Sequence, residues 1–575
     1  MNTKNIMQAA FLGLSYKDNE IDYSLLFNNK IKGSVKFNKK NYHKELLDFV
    51  KKIAKENKVK IYSAGFINFP DFEKIATKFW LKLDVVPVLI NKSNGSFEDR
   101  VKLASLEARA IFNKDLSPNH TFNKYNLVKE RFLSDLSSYK KIAKPKDWEK
   151  IIKIAKEIKE KNIKILFINS TAAGGGVSLM RHALIRLSSL FRIDLKWHVL
   201  KGNTEIFNIT KKKIHNVLHG IAKSDVFLTD LDKAKYNKWI KECFKNIKDL
   251  LKDINVVVVD DPQPSGLIPL IKKEYPGIKV LYRSHIQIYS KLINNNVKQN
   301  KNTWDFVWNN AKEADLFIAH PVKEFVPKDV DRKKVLYFPA TTDRLDGLNK
   351  NITHENKKYY FQLFNSILEK SGFKYLNLKR PYIIQVARFD PSKGILDVVE
   401  SYWKLRKIMI EKGVKLKNIP QLVIAGNGAT DDPESVPIYQ ELIQHINTDS
   451  FKHIKDDIKV ACLPHNDQLL NVLLGGAKIA LQLSHREGFE IKVTEALMKG
   501  VPVIAYKTGG IPLQILDGKT GYLIQKGKTK EVAEKILLLL DDKKLYKKLS
   551  LNAKKNINDD FLTINSLYRW LSLSL

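Results

Sequence analysis

Two stretches of the chain alternate short all-apolar runs with segments whose apolar residues recur every three or four positions. In the first stretch Ile163, Ile165, Leu166, Phe167 and Ile168 predict a strand. Val177, Met180, Leu184 and Leu187 then recur at helical spacing. Val256, Val257, Val258 and Val259 predict another strand, and Val280, Leu281 and Tyr282 a third. Runs without polar alternation suit parallel strands covered on both faces. The same alternation resumes at Pro381, with strands predicted at residues 382–386, 421–424, 479–483 and 501–504. The pattern predicts an α/β protein with two doubly wound units, whose ligands lie beyond the carboxyl ends of the strands.

This reading divides the chain into five parts. Residues 1–160 form an amino-terminal extension, 161–344 the first α/β unit, and 345–380 an Asn- and Lys-rich linker with one helix. Residues 381–541 form the second unit and 542–575 a helical tail. The extension shows one buried segment, 80–90, and an amphipathic helix near 147–161. It carries no motif with evident chemistry. Packing or subunit contact is its expected role, and a homodimer is expected.

Composition narrows the function. A chain of 575 residues exceeds one core. No apolar run approaches the ~20 residues of a membrane span. The start carries one Lys before a short apolar run without a small-residue cleavage site, which reads against a secretory leader. Two cysteines, Cys243 and Cys462, exclude a disulfide framework and fit a reducing, cytoplasmic setting. The net charge of +37 invites a nucleic-acid reading. Its lysines are scattered, however, triplets such as Lys211, Lys212 and Lys213 are short, and aromatics do not interleave with them. The expected consequence is weak polyanion binding at low salt, with no specific nucleic-acid partner.

The candidate chemistry lies in the second unit. Glu487 follows a strand and Glu495 comes eight residues later, which places it about two turns into a predicted helix. Carboxylates accept from vicinal hydroxyls, so the pair suits the two ends of an extended polar ligand. Upstream, Arg388 and Lys393 follow another predicted strand. Fixed cations there stabilise charge on a departing phosphate, Arg through its planar fork and Lys as a point charge. In the first unit Gly174, Gly175 and Gly176 stand between a strand and a helix, where backbone N–H groups approach anions.

The spacing of Glu487 and Glu495, with Gly488 and Phe489 after the first acid, resembles the donor signature of retaining GT-B glycosyltransferases. The run from Gly174 through Arg181, His182 and Leu184 resembles the trehalose-forming branch of that family. So do Asp260-Asp261-Pro262, Arg283-Ser284-His285 and Gly509-Gly510-Ile511-Pro512. The likeness is greatest to fungal-type retaining trehalose phosphorylases, with nucleotide-sugar-dependent trehalose synthases next, and it covers most of the chain. It implies a GT-B fold in which the tail returns to the first unit. It also implies that Arg388 and Lys393 hold the donor phosphate, opposite the Gly174, Gly175 and Gly176 loop and near Gly509 and Gly510. By the same resemblance Glu487 binds hydroxyls of the transferred glucose and Glu495 a ribose in nucleotide users. His285, with Arg283, contacts the donor glucose from the first unit, Arg283 also lying on the acceptor side. Asp261 holds the acceptor glucose.

Two departures from the broader family stand out: Glu490 replaces a common Gly, and Leu513 a common Glu. An added carboxylate at Glu490 suits one phosphate better than a diphosphate. The expected reaction is therefore trehalose plus phosphate giving α-glucose 1-phosphate plus glucose, without cofactor or metal. The alternatives are a synthase using UDP- or ADP-glucose, or a non-catalytic sugar- or polyanion-binding relative.

Overall fold

A computed structural model describes residues 7–17, 20–27, 30–36, 42–91, 95–173, 175–426 and 435–575. The extension builds its own mixed sheet from β1 (Gln8–Lys17), β2 (Glu20–Phe27), β3 (Lys30–Lys36), β4 (Val59–Ile67) and β5 (Val86–Leu89), in the order β3-β2-β1-β4-β5. This corrects the reading of a single buried segment and a helix. Strand β4 is buried throughout although Lys60 and Ser63 interrupt its apolar run. Lys60 Nζ donates to the carbonyls of Leu83 and Asp84 at 3.3 and 2.6 Å, and Ser63 Oγ to that of Ala108 at 2.6 Å. Buried polar groups satisfied in this way do not break a strand. The segment 80–90 is a π-helical turn, Phe79–Leu83, leading into β5.

The second sheet contains β6 (Ile165–Asn169), β7 (Leu195–Val199), β8 (Val256–Asp260), β9 (Lys279–Arg283), β10 (Leu316–Ala319) and β11 (Val335–Tyr337). It is wholly parallel, in the order β11-β10-β9-β8-β6-β7. The third contains β12 (Tyr382–Val386), β13 (Gln421–Gly426), β14 (Ile458–Cys462), β15 (Ile479–Gln482), β16 (Val503–Tyr506) and β17 (Gly521–Ile524). It is also parallel, ordered β14-β13-β12-β15-β16-β17. Each order reverses once, between β6 and β8 and between β12 and β15. Those two switch points, where crossovers diverge to opposite faces, are where a doubly wound sheet opens a crevice. They face each other across one cleft.

Helices α1 (Pro145–Glu160) and α2 (Gly176–Leu190) cover the second sheet, and α3 (Thr563–Ser574), from the tail, packs against both. Trp570 on α3 meets Phe167 edge-on, with centroids 5.1 Å apart. The extension is fastened to the stretch 345–380 by buried polar contacts. Trp80 Nε1 donates to the Leu345 carbonyl at 2.7 Å. Asp84 lies between Lys60 and Lys350, at 3.2 and 2.6 Å, and accepts from the Tyr360 hydroxyl at 2.7 Å. The helix of that stretch, His354–Lys370, buries Tyr359, Tyr360 and Phe364, so it is part of the core rather than a tether. Among the described residues no helix is long and apolar enough to cross a membrane.

Candidate active site

The cleft encloses a cavity of about 390 Å³, lined by loops from both switch points and by the extension. On the second-unit side, the turn after β12 carries Arg388 and Lys393. Asp390 caps this turn, its Oδ1 accepting from Ser392 N at 2.9 Å and from Ser392 Oγ at 2.6 Å. Gly394 follows with φ +58, where a Cβ would lie 1.9 Å from the Leu483 carbonyl oxygen. Only glycine lets the two loops approach so closely. Lys393 Nζ forms an ion pair with Glu487 and lies 2.6 Å from Glu490 Oε2. Arg388 Nη2 lies 3.6 Å from Asp390 Oδ2.

The electrostatics of this cluster divide its two glutamates. Burial raises the Glu487 carboxyl to about 7 against the pull of Lys393. Burial opposes ionisation of Glu490 too, but Lys393 outweighs it and holds that carboxyl below its usual range. Burial thus favours the protonated form of Glu487, while Lys393 keeps negative charge at Glu490. Glu490 also has a left-handed backbone, φ +62, and its Oε2 accepts from Gln482 Nε2 at 3.0 Å.

On the first-unit side, Asp260 and Asp261 follow β8. Arg181 on α2 donates twice to Asp260, at 2.8 and 2.6 Å. His285 Nε2 donates to Asp260 Oδ1 at 2.9 Å, and His285 N to Asp261 Oδ1 at 2.6 Å. Burial lowers the His285 imidazole to about 4, so it is neutral at physiological pH. Burial and the neighbouring Asp260 raise the Asp261 carboxyl to about 7. Asp261, at φ +68, is the second acid at this site with left-handed backbone. Such strain persists where surrounding structure enforces it.

Arg388, Lys393, Glu487, His285, Asp261, Gly175 and Gly176 thus all line one cavity. Gly174 lies outside the described residues, as do Asn427, Gly428 and Asp431–Pro433. Four other candidates, Arg283, Glu495, Gly509 and Gly510, are not among the residues that line it. Arg283 is buried, donating to His320 Nδ1 at 3.1 Å and to the Phe338 carbonyl at 2.8 Å. Glu495 is buried between Lys492 Nζ at 2.7 Å and Thr342 Oγ1 at 3.1 Å. The helix carrying Glu495, Ile491–Met498, starts only after Glu490. Glu495 therefore lies one turn in rather than two, and its side chain faces its own helix and Thr342. Gly509, at φ +54, would place a Cβ 1.8 Å from the Glu487 carbonyl oxygen, and Gly510 N donates to the Gly488 carbonyl at 3.0 Å. These glycines seat the Glu487–Gly488 backbone.

Sequence reasoning missed several lining groups. Asp390 stands between Arg388 and Lys393, and its place before Pro391 and Ser392, a turn-forming sequence, was the available signal. Lys211, His215 and His219 come from the first unit, and the triplet reading hid Lys211. His120, Glu130 and Arg131 come from the extension. His182 Nδ1 pairs with Glu130, and Arg186 Nη1 lies 2.9 Å from Glu130 Oε2, tying the extension to α2. The expectation that the extension serves packing or subunit contact is incomplete, because it also walls the cavity.

Comparison with known proteins places this geometry. An α,α-trehalose-phosphate synthase (UDP-forming) from Burkholderia xenovorans, solved with glucose-6-phosphate, superposes with a TM-score of 0.53 at 11% identity, over 71% of this chain and 100% of that one. That likeness shows a GT-B fold. Proteins named trehalose phosphorylase from Pleurotus pulmonarius and Grifola frondosa are each 35% identical, over 94% and 92% of this chain and 82% of their own lengths. The chain belongs to the trehalose phosphorylase family. It is a glycosyltransferase of the GT-B type. The family model described as trehalose synthase, N-terminal domain, matches residues 167–327, and that for glycosyl transferases group 1 matches 368–556. A trehalose synthase from Thermococcus litoralis is 32% identical over 76% of this chain and 96% of its own length. The phosphorylase matches thus take in nearly all of this chain, the synthase match about three quarters of it.

Proposed function

We propose that this protein is a retaining trehalose phosphorylase that converts α,α-trehalose and inorganic phosphate to α-glucose 1-phosphate and glucose, and runs in reverse. The observation that carries this reading is Glu490, which brings a fixed negative charge into the cavity 2.6 Å from Lys393 Nζ. Lys393 is already matched by carboxylates, leaving limited positive charge for an incoming anion. That balance suits one phosphate better than a nucleoside diphosphate. The match to phosphorylases through the extension supports the same choice.

In the proposed reaction a phosphate oxygen attacks the anomeric carbon from the face that the departing glucose leaves. The glycosidic C–O bond breaks, a C–O bond to phosphate forms, and the phosphate hydroxyl proton passes to the departing glucose oxygen. Arg388 and Lys393 stabilise charge on the phosphate. Glu487 accepts from hydroxyls of the transferred glucose, His285 contacts that ring, and Asp261 holds the leaving glucose. The N–H groups at the start of α2 face the anion from Gly175 and Gly176, where a Cβ would meet nothing within 4 Å. Free thiols at Cys243 and Cys462 suit a cytoplasmic enzyme.

The test is formation of α-glucose 1-phosphate from trehalose and phosphate, repeated with Arg388→Ala. Removing one such donor costs at least about a hundredfold in rate, while the half-buried side chain leaves folding intact. Absence of product with phosphate, together with trehalose synthesis from UDP- or ADP-glucose, would replace this reading with the synthase one.

A further inference from the structure

Lys211 belongs to a π-helical segment of the first unit, Asn208–His215, set between short helices Thr204–Phe207 and Asn216–His219. Single π-helical turns recur at functional sites, because the wider turn redirects side chains that an α-helix would bury elsewhere. Here the buried face comprises Ile209, Thr210, Lys211 and Ile214. A lysine in such company is unusual unless its ammonium meets a partner. Lys211 is 3% exposed, and it lines the cavity at the end occupied by Arg388, Asp390 and Lys393.

Its ammonium is under-used where it stands. Lys211 Nζ lies 3.8 Å from Asp390 Oδ2, across the cleft, and 3.4 Å from His215 Nδ1. Among the described residues, that long contact to His215 is the hydrogen bond of a group with three donors. Asp390 faces Arg388 as well, at 3.6 Å. One carboxylate is thus shared by two cations from opposite units, while Lys393 is taken by Glu487 and Glu490. Among the described residues, Lys211 thus brings an ammonium to this end with no carboxylate closer than 3.8 Å.

We infer that Lys211 is a phosphate-binding residue that reaches the anion from the first unit, so that bound phosphate bridges the two halves of the cleft. The inference rests on the phosphate-dependent reading above. Asp390 Oδ2 lies 3.8 Å from Lys211 Nζ and 3.6 Å from Arg388 Nη2, and His215, which burial and then Lys211 keep neutral, adds no charge that competes for the anion.

The test measures binding of inorganic phosphate and of glucose 1-phosphate by calorimetry and by ligand-induced shift in Tm. Wild type is compared with Lys211→Met and Lys211→Arg. Loss of one cation at this range weakens anion binding by roughly tenfold to a hundredfold. Lys211→Met is expected to show that loss with KM for trehalose changed less than about threefold, and Lys211→Arg to restore most of the affinity. A purely structural lysine would move both substrates together. Should Lys211→Met not fold, Lys211→Gln replaces it, since the amide can keep the bond to His215 without the charge. Wild type that binds phosphate alongside a neutral variant that binds it equally well overturns the inference alone. Wild type that binds neither phosphate nor glucose 1-phosphate overturns the phosphorylase reading and the inference with it.

Discussion

Replacing Glu490 separates charge from backbone at the residue that brings a second carboxylate to Lys393. Glu490 Oε2 lies 2.6 Å from Lys393 Nζ, its Oε1 accepts from Lys492 N at 3.4 Å, and its φ is +62. Glu490→Gly relaxes a left-handed residue by about 1–2 kcal/mol and gives up a weak helix cap, which glycine replaces at a cost of only a few tenths of a kcal/mol. The backbone effects leave at most about 1–2 kcal/mol in the variant's favour, so they are expected to raise Tm slightly. The electrostatic effect acts on binding instead. An extra negative charge seated about 6 Å from the Glu490 carboxylate, at an effective dielectric near 20, is repelled by about 2.8 kcal/mol. That corresponds to about a hundredfold in binding. Removing the carboxylate therefore moves the ratio of kcat/KM for UDP- or ADP-glucose over glucose 1-phosphate, with glucose as acceptor, toward the nucleotides by one to two decades. Glu490→Gln, which keeps the side-chain bulk, is expected to do the same. Parallel changes in both activities, with the ratio held within about threefold, would refute the charge argument.

Two further outcomes follow from the buried charges. Because the Asp261 carboxyl is held up at about 7, chiefly by burial, the unfolded chain ionises it near pH 4 while the native state resists. The fold therefore loses stability as pH rises from about 4 to 7. Asp261→Asn is expected to melt above wild type by the equivalent of roughly 1–3 kcal/mol at pH 8 and by much less at pH 4, while losing activity; an advantage independent of pH would contradict this. Asp84, between Lys60 and Lys350, fastens the extension, and Asp84→Ala strands two buried ammonium groups. A loss of about 3–5 kcal/mol is expected, read as a lower Tm and faster proteolysis within residues 42–140; an unchanged Tm would show that the anchor lies elsewhere.

The parallel sheets were legible because strands buried on both faces cannot hide: Val256 to Val259 has no polar position to misread. The motif loops were legible for a related reason, since a doubly wound sheet delivers the residues just after its central strands to one crevice. What failed was direction. Arg283 ends β9 as Asp260 ends β8, but its guanidinium passes behind the wall to His320 and Phe338. Glu495 carried the right spacing and the wrong helix start. The extension was illegible because Lys60 reads as a surface residue until its carbonyl partners at Leu83 and Asp84, more than twenty positions away, are known. Its share in the cavity was hidden similarly, since His120 and Glu130 acquire meaning only against His182.

The cross-cleft contacts explain why water need not compete with phosphate. Glu487 belongs to the second unit, yet its N–H donates to Gln287 Oε1 of the first at 2.8 Å. Next to it, a Cβ at Gly488 would lie 2.3 Å from the His285 carbonyl oxygen, so glycine is what permits the two units to touch there. Phe489 stacks on His320 with ring centroids 5.5 Å apart. The residue proposed to hold the transferred glucose is therefore seated by the opposite half of the molecule. An opened cleft would admit water but would also withdraw Glu487 from His285 and Asp261. Closure and assembly of the site are then one event, which favours transfer over hydrolysis.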